Sequence, residues 1–177
     1  MTAASLCVLF PHLILGGGET AMMAVAEGLR ERFRLSVCAL DRRRMTVERS
    51  ARGELLERFG RSGNEVSFVR EPEELRAALA PVDAVLWYGM NPFTPSVLEA
   101  MPRRPISVRV VHTGKDEEGP LYHERWQHCI DAAVCVSPVM QRRIPGAVFI
   151  PNTASPDRLL GEKACFFENS RKTVGFL

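Results

Sequence analysis

Short apolar runs alternate with amphipathic segments along almost the whole chain. Leu6-Cys7-Val8-Leu9-Phe10 is a continuous apolar run of strand length, and it leads to three adjacent glycines, Gly16, Gly17 and Gly18. Behind them Met22, Val25, Ala26 and Leu29 recur at helical spacing, which predicts a first helix over 19–32. A second strand is expected over 35–40. Glu48 and Arg52, and Glu54 and Arg58, sit one helical turn apart, as on an exposed helix over 46–59 closed by Gly60 and Gly63. A short third strand follows over 65–69. Glu71, Pro72, Glu73 and Glu74 form a helix-start signal: proline suits the first turn, and the carboxylates complement the helix dipole. Leu75, Ala78, Leu79 and Val82 would be that helix's buried face. Further strands are expected over 83–87, 106–111, 131–136 and 147–150, and helices over 96–101 and 121–130. Ser137-Pro138 then caps a short helix that runs to Arg143.

Near-continuous apolar strands separated by amphipathic helices imply an α/β fold: a doubly wound, mostly parallel sheet with helices on both faces. Such a sheet binds ligands beyond the carboxyl ends of its strands. The unusual residues of the chain fall there: His12, Glu19, Trp87, Asn91, His112, Lys115 and Asp116. The glycine run lets the backbone turn tightly and approach a ligand closely. The helix start behind it offers free N–H groups and a partial positive charge, a combination suited to phosphate or another anion. The charge of Glu19 opposes a phosphate on that turn, so the backbone N–H groups are assigned to the anion and the Glu19 carboxylate to the helix dipole. The run is not Gly-x-Gly-x-x-Gly and lies several residues beyond the strand, which argues against a dinucleotide site.

Composition narrows the class. At 177 residues the chain is one domain, or one domain and a tail. A net charge of +2 gives no global attraction to nucleic acid. No apolar run reaches the ~20 residues of a membrane span. The apolar start is interrupted by Pro11 and His12, unlike a signal peptide. Cys7, Cys38, Cys129, Cys135 and Cys165 show no Cys-x-x-Cys spacing, and three lie in expected strands, as small core residues do. An odd count without a secretion signal points to a reducing, cytoplasmic setting. His123 and His128 are five apart on a helix, on different faces, so no metal site is expected. Trp87 reads as packing, while Tyr88 and Asn91 combine an aromatic ring with an amide, which suits a sugar. Arg42, Arg43 and Arg44 suit an anionic ligand or peripheral contact with lipid headgroups, although so short a cluster commonly only keeps a surface solvated.

Several motifs recur in a recognisable order: Phe10-Pro11, then Gly16-Gly17-Gly18-Glu19, then a strand ending in Val110-Val111-His112. Asp131 precedes an apolar strand ending in Ser137, Ile150-Pro151-Asn152-Thr153 is a turn, and Lys172 opens Thr173-Val174-Gly175-Phe176-Leu177. In this the chain resembles the N-terminal half of a GT-B glycosyltransferase, most closely the large retaining family 4. It departs from many members in carrying Thr113-Gly114-Lys115 directly after the histidine, with Asp116 further on, and Pro-Asn-Thr in place of Pro-Asn-Gly.

The resemblance implies that residues 1–152 are a Rossmann-like, acceptor-side domain. It implies that 153–177 are an interdomain linker and the first strand of a missing C-terminal, donor-binding domain. The whole protein would transfer a sugar from a nucleotide-sugar donor to a sugar, lipid or small-molecule acceptor, with no permanently bound cofactor and no metal. This part alone would be inactive, and its tail would lie outside the main fold or pair with another chain. The resemblance makes His112 the catalytic candidate, as a hydrogen-bond donor and not a nucleophile. Gly16, Gly17, Gly18 and Glu19 become the loop at the donor phosphate or acceptor, with His12, Asn91, Lys115 and Asp116 on the acceptor side. Two alternatives remain: a stand-alone small-ligand or nucleotide-binding module, and a sugar-nucleotide epimerase of the same fold.

Overall fold

The computed structural model describes residues 3–12, 17–40, 57, 60, 66–112 and 118–152. Its strands are β1 (Ser5–Phe10), β2 (Arg34–Leu40), β3 (Val66–Val69), β4 (Ala84–Tyr88), β5 (Ile106–Val111), β6 (Ala132–Cys135) and β7 (Val148–Phe149). Its helices are α1 (Gly17–Leu29), α2 (Pro72–Leu79), α3 (Phe93–Glu99), α4 (Glu118–Trp126) and α5 (Pro138–Arg143), with a 3-10 turn at Gln127–Cys129. The strands form one seven-stranded sheet in the order β3-β2-β1-β4-β5-β6-β7. Every pairing is parallel. This is the doubly wound, Rossmann-like α/β fold expected from the apolar pattern.

All six residues of β1 are buried. Successive side chains of a strand point to opposite faces. Leu6, Val8 and Phe10 therefore share one face with Met22, Met23 and Ala26 of α1. Cys7 and Leu9 share the other with Leu75 and Leu79 of α2, Val97 and Leu98 of α3, and Trp126 of α4. A smaller core joins Val111 and Cys135 to Met140 and Ile144 around α5. The amino ends of the strands are tied by carboxylates. The Ser5 amide and hydroxyl each donate to Asp83 Oδ2 at 2.8 Å, and the Ser107 amide donates to Asp131 Oδ2 at 2.8 Å. Arg104 also donates to both oxygens of Asp131.

Boundaries moved where tertiary contacts decide them. The first helix ends at Leu29, whose carbonyl accepts from the Arg32 and Phe33 amides in a closing turn. β4 runs one residue past the expected Trp87, because Tyr88 pairs in register with Val110 and packs edge-on against Phe10. α3 starts at Phe93, not Ser96, since the Asn91 side chain accepts from the Thr94 amide at 3.0 Å. The helix expected over 121–130 is α4 followed by the 3-10 turn. Of the helix expected over 46–59, only Glu57 is described; it is helical, as is Gly60, the residue expected to close that helix. The rest of it, and the tail 153–177, lie outside the described residues. No helix among the described residues is long and apolar enough to cross a membrane.

β4 leaves the sheet through Gly89, whose φ is +89°. A Cβ there would also stand 3.2 Å from Pro11 Cγ. Gly89→Ala is therefore expected to lower stability by about 1–2 kcal/mol, the usual cost of left-handed backbone for an L-residue. Urea denaturation would measure it, and an unchanged midpoint would contradict the turn's geometry.

Candidate functional site

The chain leaves β1 towards β2 on one side, while β4 and β5 lie on the other. Loops at the carboxyl ends of β1 and β4 therefore diverge and leave a crevice, the switch point at which doubly wound sheets bind ligands. A cavity of about 250 Å³ occupies that crevice. Pro11 and His12 after β1, Gly18 and Glu19 from α1, Tyr88 at the end of β4 with Gly89 and Met90 after it, and Arg109 to His112 at the end of β5 line it.

Glu19 is the electrostatic centre. It sits in the first turn of α1 but is only 4% exposed. Its Oε1 accepts from the Tyr88 hydroxyl at 2.7 Å and meets His12 Nε2 at 2.9 Å. Burial pushes its carboxyl pKa up, but the hydrogen bonds from His12 and Tyr88 outweigh burial and hold it below the ordinary value. The same contact works oppositely on Tyr88. Burial, then the Glu19 charge, push the phenol well above its usual range. Nε2 is the His12 nitrogen engaged by the carboxylate, and Nδ1 has no hydrogen-bond partner among the described residues.

His112 stands at the end of β5 with its ring edge-on to Tyr88, centroids 5.3 Å apart. Its Nδ1 lies 3.3 Å from the Asn152 amide nitrogen. As that amide is placed, Nδ1 accepts and the ring proton sits on Nε2. Nε2 is buried and has no hydrogen-bond partner among the described residues. Burial lowers the His112 pKa, and the Glu19 charge offsets part of that, so the ring is a neutral donor at pH 7. Gly18 allows this packing: a Cβ there would stand 3.2 Å from the Tyr88 ring and 3.9 Å from the His112 ring.

Arg109 enters from β5, where it pairs in register with Trp87. It is 1% exposed, and burial lowers its pKa to about 10.

Of the sequence candidates, His12, Gly18, Glu19 and His112 meet on one cavity wall. Gly17 opens α1 and is exposed, and Gly16, Lys115 and Asp116 lie outside the described residues. Asn91 is not on the wall. Its Oδ1 caps α3 through the Thr94 amide and hydroxyl, and its carbonyl accepts from Tyr122. Glu19 turns inward to bridge Tyr88 and His12, where sequence assigned it to the helix dipole. Trp87 is packed, donating from Nε1 to Ser107 Oγ at 2.9 Å. His128 meets Glu99 at 3.1 Å on the surface, apart from His123. Sequence reasoning missed Arg109 and the role of Asn152. An arginine inside the apolar run Val108–Val111 was the available signal for the first. Nothing along the chain marks the second, because Asn152 reaches His112 across 40 positions.

No protein-family model and no curated protein sequence matches the chain. Solved structures do. A protein assigned as a UDP-N-acetylglucosamine 2-epimerase from Listeria monocytogenes superposes with a TM-score of 0.53 at 12% identity, over 81% of this chain and 42% of that one. Phytolacca americana UGT2, solved with UDP-2fluoro-glucose and pterostilbene, superposes with a TM-score of 0.52 at 13% identity, over 85% of this chain and 53% of that one. The chain thus spans about half the length of these structures. The likeness is one of fold: a Rossmann-like unit of the kind that GT-B proteins contain.

Tyr88→Phe is expected to cost about 1.5–3 kcal/mol at pH 7, as for a lost hydrogen bond to a buried charge. The Glu19 pKa is lowered by folding, so its contribution is present above the unfolded value and lost as pH falls through the folded one. The variant removes part of that lowering. It should therefore lose less stability than the wild type on acidification, as read by denaturation at stepped pH. Asn152→Asp places a carboxylate beside Nδ1 and is expected to raise the His112 pKa, read by NMR titration of the ring. An unmoved titration would mean that the Asn152 contact does not hold the ring.

Proposed function

We propose that this chain is the N-terminal, acceptor-side domain of a retaining glycosyltransferase. The whole protein would carry a sugar from a nucleotide-sugar donor to a sugar, lipid or small-molecule acceptor. The observation that carries this reading is the cavity at the switch point, walled by a neutral histidine donor and a carboxylate-anchored histidine. Its volume of about 250 Å³ also supports the reading. Complete small-molecule sites run roughly 300–1,000 Å³. This one suits a single sugar-sized part of a ligand, with the rest of a nucleotide sugar held by a second domain. The nucleotide sugar is substrate, and the reading takes no resident cofactor or metal.

His112 serves as a donor. Nδ1 accepts from Asn152 and Nε2 carries the proton, so no lone pair is left for a nucleophile. The Nε2–H is suited to a sugar hydroxyl or to the oxygen that leaves with the nucleotide. His12 receives the acceptor hydroxyl at Nδ1. In retention the nucleotide departs, with the glycosidic electron pair, from the face that the acceptor attacks, and its phosphate takes the proton. The His12–Glu19 pair favours a second reading, inversion. In it His12 Nδ1 takes the hydroxyl proton while the acceptor attacks opposite the leaving nucleotide, and Glu19 stabilises the imidazolium that forms.

The deciding assay incubates the full-length gene product with a panel of nucleotide sugars and acceptors and reads transfer, with the anomeric configuration of the product from NMR. Transfer is expected, and His112→Ala should lower kcat by about 10²–10³, as for loss of one preorganised donor. If the full-length protein is inert while this chain binds a small phosphorylated ligand, the stand-alone binding module replaces the transferase.

A further inference from the structure

A second hollow lies between α2 and α3, on the face of the sheet opposite α1. Its volume is about 380 Å³, larger than that of the switch-point cavity. That is within the roughly 300–1,000 Å³ of small-molecule sites. Pro72 and Arg76 of α2 form one wall, and Pro92, Phe93, Ser96 and Val97 form the other. The two hollows share no residue.

Two of these side chains are polar. Ser96 Oγ donates to the Pro92 carbonyl at 2.7 Å, so its proton is used at the start of α3. Arg76 is different. Its Nε is buried without a hydrogen-bond partner, and no ion pair joins its guanidinium to a described residue. The nearby Glu74 carboxylate is engaged elsewhere, with Oε2 accepting from the Arg70 and Glu71 amides at 2.7 and 3.2 Å. Arg104, by contrast, forks onto both oxygens of Asp131. Arg76 is half-buried and lines the hollow. With Nε covered, its terminal amino groups are the part left to a ligand, and their planar fork matches the two oxygens of a carboxylate. The rest of the lining is two proline rings, a half-buried phenyl ring and Val97. Such rigid apolar surface gains from burial and has little rotamer freedom to lose. A ligand that meets both parts carries one carboxylate on an apolar body.

We propose that the hollow between α2 and α3 is a second ligand site of this protein. It takes a small carboxylate with an aromatic or branched apolar body, and the carboxylate pairs with Arg76. This site goes beyond the transferase reading and does not depend on it.

The test is calorimetric titration of hydrocinnamate and isocaproate into this protein, with hydrocinnamamide and acetate as controls. Amide chemical shifts read by NMR locate the binding. Both apolar carboxylates are expected to bind saturably, with the shifts centred on residues 72–76 and 93–97. Hydrocinnamamide has the body without the charge and should bind at least tenfold more weakly than hydrocinnamate. Acetate has the charge without the body and should not saturate. Arg76→Gln keeps most of the stem and should weaken both carboxylates at least tenfold. Ser96→Leu, at an exposed position, fills the hollow while leaving Arg76 in place, and it should weaken them as much. A wild-type Tm in both variants is expected and makes the loss local. Four outcomes overturn the proposal: neither carboxylate saturates, the amide binds as tightly as the acid, either variant binds as the wild type does, or the shifts centre on His12, Glu19 and His112 instead.

Discussion

β1 has no residue that faces water, and the rest of the domain follows from that constraint. A strand buried on both faces must be covered twice, so α1 lies on one side and α2, α3 and α4 on the other. It must also have both edges paired, so β2 and β4 flank it. A parallel partner needs a crossover, and the crossovers on the two sides of β1 wind away from each other. The crevice between their loops is a geometric consequence of covering β1. The cavity that holds His12, Glu19, Tyr88 and His112 is that crevice.

Within it, electrostatics and packing are coupled through Glu19. One carboxylate joins the first turn of α1 to the end of β4 and to the loop after β1. A buried carboxylate with two donors is a rigid unit, and the Tyr88 ring that it fixes is the surface on which His112 rests. Two glycines make the arrangement sterically open. Gly18 lets α1 approach the Tyr88 and His112 rings, and Gly89 lets β4 turn beside Pro11. Arg109 is the counterpoint, a buried cation on the opposite face of the sheet, under α4, whose neighbours among the described residues are the Tyr122 and Trp87 rings and the Gly119 carbonyl.

The strands and the layer order were legible along the chain because their causes are local and periodic. The apolar runs at 6–10 and 84–87 and the β-branched segment at 106–111 suit strands, and Met22, Ala26 and Leu29 recur as a helix face. The rim at the strand ends, where a doubly wound sheet binds ligands, was legible too, and the cavity lies there. His12, Glu19 and His112, expected on that rim, line the cavity. Asn91, expected on the acceptor side, does not line the cavity; its side chain accepts from the Thr94 amide at the start of α3, which packing sets.

What the sequence determined by itself is the α/β class, the parallel sheet and the rim on which chemistry collects. Hydrophobic period and turn residues are properties of neighbouring positions, and they suffice for these. The tertiary structure alone decided which rim residues meet. The Tyr88 hydroxyl finds Glu19 across 69 positions and Asn152 finds His112 across 40. The fate of Arg109 was decided there as well. Whether a charge in a strand is paired, solvated or stranded depends on what the fold brings against it, and periodicity carries no information about that.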